Sequence, residues 1–321
     1  MILPTYNRAH FLSRAIESVR AQTFSDWELL VMDNGSTDGT VDLIRQFQEK
    51  DTRVRFLKET QKGASYARNL GLKEAVGKLF AFLDDDDEWL PEKLSRQVAF
   101  FKSHPATSLL YTHAYMKDGG GILMGLKPSG KPAMRFEDLL EENTIPLLTV
   151  MVKRECIEKV GGFDPTIPIG EDYDLWLRIS KEFPIGFLQE SLAVYYRHGQ
   201  NMSTQRMERY KNTITVFGKL LCTCHDPFQL ERIGRRFVFL HYQLAKEAVV
   251  RNDLAGARFY LGNVRELLRF HHFPEDKALF MKSCAISMLL LGGVTARYLL
   301  SRWWMRRESA DYANARDLRK S

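Results

Sequence analysis

Four consecutive aspartates, Asp84, Asp85, Asp86 and Asp87, follow directly on a mostly apolar run. Carboxylates this close repel one another by roughly 1 kcal/mol or more per pair in a partly dry site, so stability alone gives no reason to cluster them. A divalent cation reverses the sign of that repulsion, and oxygen ligands suit Mg²⁺ or Mn²⁺. The cluster therefore predicts a metal site that can neutralise a diphosphate leaving group. The structural alternative is a solvated acidic turn that caps the next helix.

Two other segments carry polar groups suited to a nucleotide. Asp33 opens an acidic loop at residues 33–38, where its carboxylate can accept a hydrogen bond from a ring N–H or a ribose hydroxyl. The alternative is a turn and N-cap before the following helix. Residues 62–69 place a flexible turn and Arg68 at the start of a helix, an arrangement that predicts contact with phosphate.

Two segments in the second half of the chain carry candidate reacting groups. Glu171 and Asp172 precede a helix, and one carboxylate there can act as general base for an alcohol nucleophile. Helix capping is the alternative. His198 follows a strand and can ligate a metal through its neutral imidazole, although a lone histidine is more often an ordinary surface residue.

Strands and helices alternate over residues 1–110. The apolar spacing predicts strands at residues 28–32, 54–57 and 78–83, and helices at residues 11–22, 41–49 and 65–76. Such alternation indicates βαβ units and a parallel sheet, whose ligands bind at the carboxyl ends of the strands. The loops 4–8, 33–38 and 84–88 all fall at those ends.

The periodicity changes twice further along the chain. Strands at residues 147–152 and 192–196 and a helix at 173–181 are expected in a second half-domain, and beyond residue 205 only helices are expected, at 208–220, 227–251 and 254–270. The predicted organisation follows from these changes. It consists of a domain over 1–204 (halves 1–110 and 111–204), a helical extension over 205–275, an amphipathic or membrane-associated helix over 276–307 and a flexible tail over 308–321.

The apolar segment at residues 278–300 is interrupted by Lys282 and Arg297 and followed by Trp303 and Trp304. Its uninterrupted core is shorter than the about 20 residues that a spanning helix needs. Flanking aromatic and basic residues suit the lipid headgroup layer. Three alternatives stay open for this segment: it anchors the protein at a membrane surface, it is buried as a terminal helix, or it spans the membrane.

Composition limits the possible partners and the cellular compartment. The chain has 321 residues with a net charge of +6, which does not argue for nucleic acid as a partner. Four cysteines do not make a disulfide framework in a chain of this size, and this favours a reducing compartment. Met1 to Leu3 read as the end of a strand, so the natural start is expected upstream.

Seven motifs occur in the order found in family 2 glycosyltransferases, and the chain resembles that family over residues 1–203. The motifs are Leu3-Pro-Thr-Tyr-Asn-Arg8, Ala21-Gln-Thr-Phe24, Met32-Asp-Asn-Gly-Ser-Thr-Asp-Gly39, Gly63-Ala-Ser-Tyr-Ala-Arg-Asn-Leu-Gly71, Phe82-Leu-Asp-Asp-Asp-Asp87, Gly161-Gly-Phe-Asp164 and Glu171-Asp172. The resemblance implies the GT-A fold, an α/β fold with a mainly parallel central sheet, here with a C-terminal all-α extension. It also implies a nucleotide-diphosphate sugar donor and Mn²⁺ or Mg²⁺.

The resemblance assigns roles position by position. Pro4 and Tyr6 would line the base pocket, with Tyr6 stacking on uracil, and Asp33 would hydrogen-bond the base. Arg68 would lie near the diphosphate. In the family's Asp-x-Asp motif, Asp84 would face the ribose or a metal-bound water and Asp86 would ligate the metal, with Asp85 at the middle position. Asp172 would be the catalytic base, and His198 a further metal or phosphate contact. Four aspartates in a row leave the ligand register open.

The implied activity is an inverting transfer of one sugar, from a UDP-sugar, to a hydroxyl of a glycan or lipid-linked acceptor in bacterial surface-polysaccharide synthesis. Processive relatives carry Gln-x-x-Arg-Trp, and Gln205 to Tyr210 does not match it. The expected location is cytoplasmic, peripheral on the inner membrane. Alternatives are a lipid-phosphate glycosyltransferase, an inactive glycan-binding relative and, last, a sugar-1-phosphate nucleotidyltransferase, which needs a basic Gly-rich loop that residues 4–8 do not provide.

Overall fold

The structure is a computed structural model that describes residues 1–127, 134–199, 201 and 205–270. Its strands are β1 (Ile2–Thr5), β2 (Leu29–Asp33), β3 (Val54–Lys58), β4 (Leu79–Ala81), β5 (Glu88–Trp89), β6 (Leu109–Asp118), β7 (Leu123–Lys127), β8 (Met151–Lys153) and β9 (Ile185–Arg197). Its helices are α1 (Ala9–Arg20), α2 (Thr40–Lys50), α3 (Ala64–Glu74), α4 (Lys93–Ser103), α5 (Phe136–Leu139), α6 (Arg154–Val160), α7 (Glu171–Glu182), α8 (Arg206–Thr223), α9 (Pro227–Val250) and α10 (Leu254–Phe270). The chain divides into two compact units, Met1–Gly218 and Lys219–Ser321.

The first sheet of the amino-terminal unit is parallel, in the order β1-β2-β3. All five residues of β2 are buried, as expected of a parallel strand covered on both faces. A parallel bridge between Ile2 and Phe82 places the end of the β4 segment beside β1. The parallel arrangement predicted for the first half of the chain is therefore confirmed.

The second sheet is mixed, in the order β4-β8-β6-β9-β5, with β7 paired to β6. Among the described residues of this sheet, β6 and β9 are the one parallel pair, and the other pairs are antiparallel. The strand predicted at residues 147–152 is split into a 3₁₀ turn, Leu147–Thr149, and β8. The Thr149 hydroxyl donates back to Pro146 O at 2.7 Å, and the Thr149 carbonyl accepts from Gln97 at 2.9 Å, so side chains replace strand pairing here.

Helices pack against both faces of the first sheet. The apolar stripe of α1, including Leu12, Ile16 and Val19, is fully buried in the core that also contains Val31. On the other side α3 approaches very closely at Gly71. A β-carbon there would lie 3.0 Å from both Ile2 Cγ2 and Met32 Sδ, so a side chain would push α3 away from β1 and β2.

The described part of the carboxy-terminal unit is helical, which confirms the predicted all-α extension. Asp226 caps α9 by accepting from Phe228 N at 3.1 Å, with Pro227 at the first position. No helix among the residues that the structure describes has the length and apolarity needed to cross a membrane. The predicted helix at 276–307 and tail at 308–321 lie outside the described residues.

Candidate active site

The loops predicted to carry the chemistry meet at one edge of the sheets. Thr5 pairs with Asp33 at the ends of β1 and β2, and Phe82 bridges to β1 two residues before the first aspartate. Pro4, also in β1, is half-buried and pairs with Met32. The three loops therefore start side by side, as the parallel arrangement requires.

Tyr6 lies one residue beyond β1 and is 48% exposed. The next residue, Asn7, has a positive φ of 52°, a conformation that asparagine tolerates better than most residues. Its side-chain oxygen accepts from Thr37 N at 2.8 Å, and its own N–H donates to Ser36 Oγ at 2.8 Å. These two hydrogen bonds join the loop after β1 to the loop after β2. The exposed Tyr6 ring therefore lies next to Thr5, the residue of β1 that pairs with Asp33.

Asp33 is buried, and its carboxylate accepts from the N–H groups of Gly35 and Ser36 at 3.1–3.2 Å. The turn interpretation is therefore correct for these contacts, and a role toward a nucleobase stays a prediction. Beside it lies a pocket of about 230 Å³. Its lining consists of Asp33, Gly35, Ser36, Val41, Arg45, Phe56 and Lys58, and does not include Pro4 or Tyr6.

The aspartates alternate in their contacts. Asp85 accepts from Thr5 Oγ1 at 2.7 Å, and Asp87 accepts from Tyr196 N at 3.0 Å. These two carboxylates fix the loop to β1 and β9. Asp84 and Asp86 form ion pairs with Arg68 and with His198 and Arg8, and the choice of metal ligand among the four aspartates stays a prediction.

Asp86 contacts the predicted histidine. Its Oδ2 atom lies 3.0 Å from His198 Nε2, 3.4 Å from Asn201 Nδ2 and 3.7 Å from Arg8 Nη1. Asn201 also accepts from His198 N at 2.5 Å, and the ring of Phe11 stacks on the imidazole with centroids 4.8 Å apart. The Phe11 ring thus covers one face of the imidazole, Asn201 holds the backbone of His198, and the Nε2 atom faces Asp86.

Burial disfavours the ionised form of these carboxyls. Burial, partly offset by the Thr5 hydrogen bond, raises the pKa of Asp85 to about 7. Burial and then the neighbouring Asp84 charge raise the pKa of Asp86. Groups that are costly to ionise together are stabilised by a nearby cation, so the donor set fits a divalent metal.

Asp86 and His198 also offer atoms of the types that bind a divalent metal. Oδ2 and Nε2 lie 3.0 Å apart, joined by a hydrogen bond in this structure, and a carboxylate oxygen and an imidazole nitrogen both ligate such ions. Magnesium-type sites commonly use one or two protein ligands plus substrate phosphates. Within the described part of the chain, no group of three or more acidic, histidine or cysteine residues is arranged to hold a metal.

Asp84 is held by Arg68 instead. Arg68 is only 4% exposed, and donates to Asp84 Oδ1 at 2.7 Å and to Glu171 Oε1 at 2.5 Å. Burial acts to lower the pKa of the guanidinium, but the charges and hydrogen bonds of Asp84 and Glu171 together raise it above its ordinary value. Arg68, which was predicted to contact phosphate, therefore binds two carboxylates in this structure, one after β4 and one at the start of α7.

The next residue in α3, Asn69, joins this helix to the motif at residues 161–164. Its amide donates to Phe163 O at 2.7 Å and accepts from Phe163 N at 2.8 Å. A β-carbon on Gly162 would lie 2.3 Å from the Asn69 oxygen, so glycine is needed at this crossing. The motifs at residues 63–71 and 161–164 are therefore in direct contact.

The predicted base, Asp172, lies in the first turn of α7, after Gly170 with φ 87°. Its Oδ1 accepts from Tyr173 N at 2.7 Å, and Asn143 Nδ2 lies 3.4 and 3.5 Å from its two oxygens. The Tyr173 hydroxyl donates to Leu139 O. The segment before the 3₁₀ turn is thus attached to α7 beside the base.

From the sequence, no role is predicted for Asn143 or Asn201, and Glu171 is named only with Asp172, as two carboxylates of which one can act as general base. Glu171 was visible as the neighbour of Asp172, and Asn201 as a polar residue beyond His198. Asn143 carries no local signal, because only the fold brings residues 140–146 to α7.

Two comparisons with known sequences agree with these motifs. A family model described as "Glycosyl transferase family 2" matches residues 1–155. The chain is 30% identical to a putative teichuronic acid biosynthesis glycosyltransferase, TuaG, from Bacillus subtilis, over 68% of this chain and 87% of the relative. It is 32% identical to the Escherichia coli UDP-Glc:alpha-D-GlcNAc-diphosphoundecaprenol beta-1,3-glucosyltransferase WfgD, over 68% of this chain and 84% of the relative.

Solved structures share the fold. TarS residues 1–349 from S. aureus, solved with UDP-GlcNAc, superposes with a TM-score of 0.66 at 16% identity, covering 88% of this chain and 89% of that chain. The mannosyltransferase PcManGT from Pyrobaculum calidifontis, solved with GDP-Man and Mn²⁺, gives a TM-score of 0.58 at 18% identity, covering 90% and 86%.

Proposed function

Because the chain belongs to glycosyl transferase family 2, we propose that it is an inverting, non-processive enzyme that transfers one sugar from a UDP-sugar to an acceptor hydroxyl. UDP-sugars are named for two similar proteins, WfgD and TarS. The acceptor we propose is a glycan on a lipid carrier, in surface-polysaccharide synthesis at the cytoplasmic face of the membrane. The names of WfgD and TuaG support this choice.

The observation that carries the proposal is the connection through Arg68. Asp84 belongs to the predicted donor motif, and Glu171 adjoins the predicted base, yet both bind one buried guanidinium. A displacement reaction needs its leaving group and its base held in fixed mutual positions. This ion-pair group supplies such a connection between the strand end and α7.

The proposed reaction is a single displacement. Asp172 removes the proton of the acceptor hydroxyl, whose oxygen attacks the anomeric carbon as the bond to the diphosphate breaks. Asn143 orients the Asp172 carboxylate. Asp86 and His198 would hold Mn²⁺ or Mg²⁺, which supplies neutralisation of the leaving diphosphate when bound. Tyr6 and Asp33 bind the nucleobase of the donor.

Replacement of the base gives the test. With UDP-glucose, UDP-GlcNAc and related donors, and a polyprenyl-diphosphate glycan as acceptor, Asp172→Asn should lose transfer by at least about a hundredfold while UDP affinity is retained. If Asp172→Asn transfers sugar at the wild-type rate, the base assignment is wrong. A phosphate acceptor would then be favoured, since phosphate needs no general base.

A further inference from the structure

Arg14, a half-buried residue of α1, contacts the main chain of the aspartate cluster. Its Nη2 atom donates to the Asp86 carbonyl oxygen at 2.7 Å. That carbonyl belongs to the planar peptide group that follows the Asp86 α-carbon, so the hydrogen bond restricts rotation of the backbone at this residue. A hydrogen bond from a charged donor is also stronger than one from a neutral donor. Arg14 therefore holds the backbone of the residue whose carboxylate faces His198.

The same guanidinium lies over the ring of Tyr196. Arg14 Cζ is 3.7 Å from the centroid of this ring, which is buried. A planar guanidinium can donate a hydrogen bond from its edge while its face lies on an aromatic ring, and the ammonium group of a lysine cannot combine the two contacts in this way. The Asp86 carbonyl and the Tyr196 ring together fix the orientation of the Arg14 side chain.

Tyr196 is bound to both segments that carry the proposed metal ligands. Its N–H donates to Asp87 at 3.0 Å, and its hydroxyl donates at 2.8 Å to Glu88, the residue after the aspartate cluster. Its carbonyl accepts from Asn201 Nδ2 at 3.1 Å, and the Asn201 side-chain oxygen accepts from His198 N. The position of Tyr196 therefore affects the aspartate cluster and the histidine together.

One face of α1 contacts both members of the Asp86–His198 pair. The Phe11 ring stacks on the imidazole with centroids 4.8 Å apart, and Arg14 binds the Asp86 carbonyl. Residues three apart on an α-helix are neighbours on its surface, so Phe11 and Arg14 act from the same side. The relative placement of the imidazole and the aspartate backbone thus depends on this one helix.

We propose that Arg14 is a positioning residue of the donor site, which sets the placement of Asp86 relative to His198 and thereby the affinity for Mn²⁺. In this role Arg14 acts through Asp86 and Tyr196 and contacts neither the metal nor the donor. Groups that orient the ligands of a metal commonly change its affinity by about 10- to 100-fold. The inference rests on the proposed function, because it takes Asp86 and His198 as the metal ligands.

The test measures Mn²⁺ affinity of the full chain at saturating UDP, from the electron paramagnetic resonance signal of free Mn²⁺. Arg14→Met should weaken Mn²⁺ binding by about tenfold or more, with UDP affinity in the absence of Mn²⁺ unchanged. Arg20→Met is the matched control, because Arg20 is also half-buried in α1 but pairs with Glu17 and lies over Phe47. Wild-type Mn²⁺ affinity in Arg14→Met, or an equal loss in Arg20→Met, overturns the proposal.

Arg14→Lys provides a milder variant in case Arg14→Met does not fold. Lysine keeps the positive charge and can donate to the Asp86 carbonyl, but it lacks the planar group that lies over Tyr196. Arg14→Lys should therefore bind Mn²⁺ about threefold more weakly than the wild-type protein. A lower Tm together with wild-type Mn²⁺ affinity would show that Arg14 only stabilises the fold, and this result overturns the proposal.

Asp86→Ala, measured in the same way, distinguishes failure of this inference from failure of the proposed function. If Asp86→Ala loses Mn²⁺ affinity and the two Arg14 variants do not, the metal assignment stands and the positioning role is wrong. If Asp86→Ala binds Mn²⁺ as tightly as the wild-type protein, the metal assignment is wrong, and the positioning role is overturned with it.

Discussion

Asp84 and Glu171 bind the same buried guanidinium, that of Arg68, although they are far apart in sequence, one after β4 and one at the start of α7. The Glu171 carboxylate is 12% exposed and the Arg68 side chain 5%, so this part of the group is poorly screened by solvent. The arrangement fixes the end of the β4 segment relative to the start of α7.

Removal of this guanidinium should therefore destabilise the fold. Arg68→Met leaves two carboxylates facing each other without their cation, and should lower the free energy of unfolding by about 3 kcal/mol in urea titrations. Arg96→Met is the matched control, because Arg96 forms an exposed pair with Glu190 and its loss should change little. Equal effects of the two substitutions would contradict the structural role of Arg68.

Asn143 should affect turnover more than donor affinity. Its amide nitrogen approaches both oxygens of Asp172, so Asn143→Ala should lower kcat by about tenfold, with KM for the UDP-sugar unchanged. The neighbouring Thr144 has a buried hydroxyl with no hydrogen-bond partner among the residues that the structure describes, and Thr144→Val should leave kcat near the wild-type value. A rise in KM without loss of kcat for Asn143→Ala would indicate a donor-binding role.

Lys93 should make stability depend on pH. It is fully buried, with the Thr149 carbonyl at 3.4 Å and the Trp89 ring centroid at 4.6 Å, and burial lowers its pKa from 10.5 to about 7. Between these two values the unfolded chain binds more protons than the folded chain. Stability attributable to this group therefore rises as the pH rises from about 7 toward 10.5.

Lys93→Met removes this proton linkage. The slope of unfolding free energy against pH should become smaller by up to about 1.4 kcal/mol per pH unit across that window. Urea titrations of both proteins at several pH values between about 7 and 10, the window between the folded and unfolded pKa of Lys93, measure the difference. Identical slopes would mean that Lys93 stays protonated in the folded protein.

The donor side could be predicted largely from local sequence. Apolar runs end directly at Thr5, Asp33 and the aspartate cluster, and parallel strands place such ends together without further information. The sequence could not predict which of the four aspartates bind neighbouring strands and which face other side chains. Asp85 and Asp87 bind Thr5 and Tyr196, and only the packing of β1 and β9 decides that.

The acceptor side depends on long-range contacts. Asn143 reaches Asp172 because the Tyr173 hydroxyl holds Leu139 against α7, and no periodicity in the sequence reports that. The strand predicted at residues 147–152 is partly a 3₁₀ turn because Gln97, distant in sequence, binds the Thr149 carbonyl. Apolar runs alone also do not tell parallel from antiparallel pairing in the second sheet.

Calorimetric titration of UDP into the protein, with and without Mn²⁺ and repeated with Asp86→Ala, tests the assigned donor site directly. Mn²⁺ should tighten UDP binding by at least about tenfold in the wild-type protein, and Asp86→Ala should lose this gain while remaining folded. UDP binding that is indifferent to Mn²⁺, or a gain that persists in Asp86→Ala, would contradict the assignment of the Asp86–His198 pair as the metal-dependent donor site.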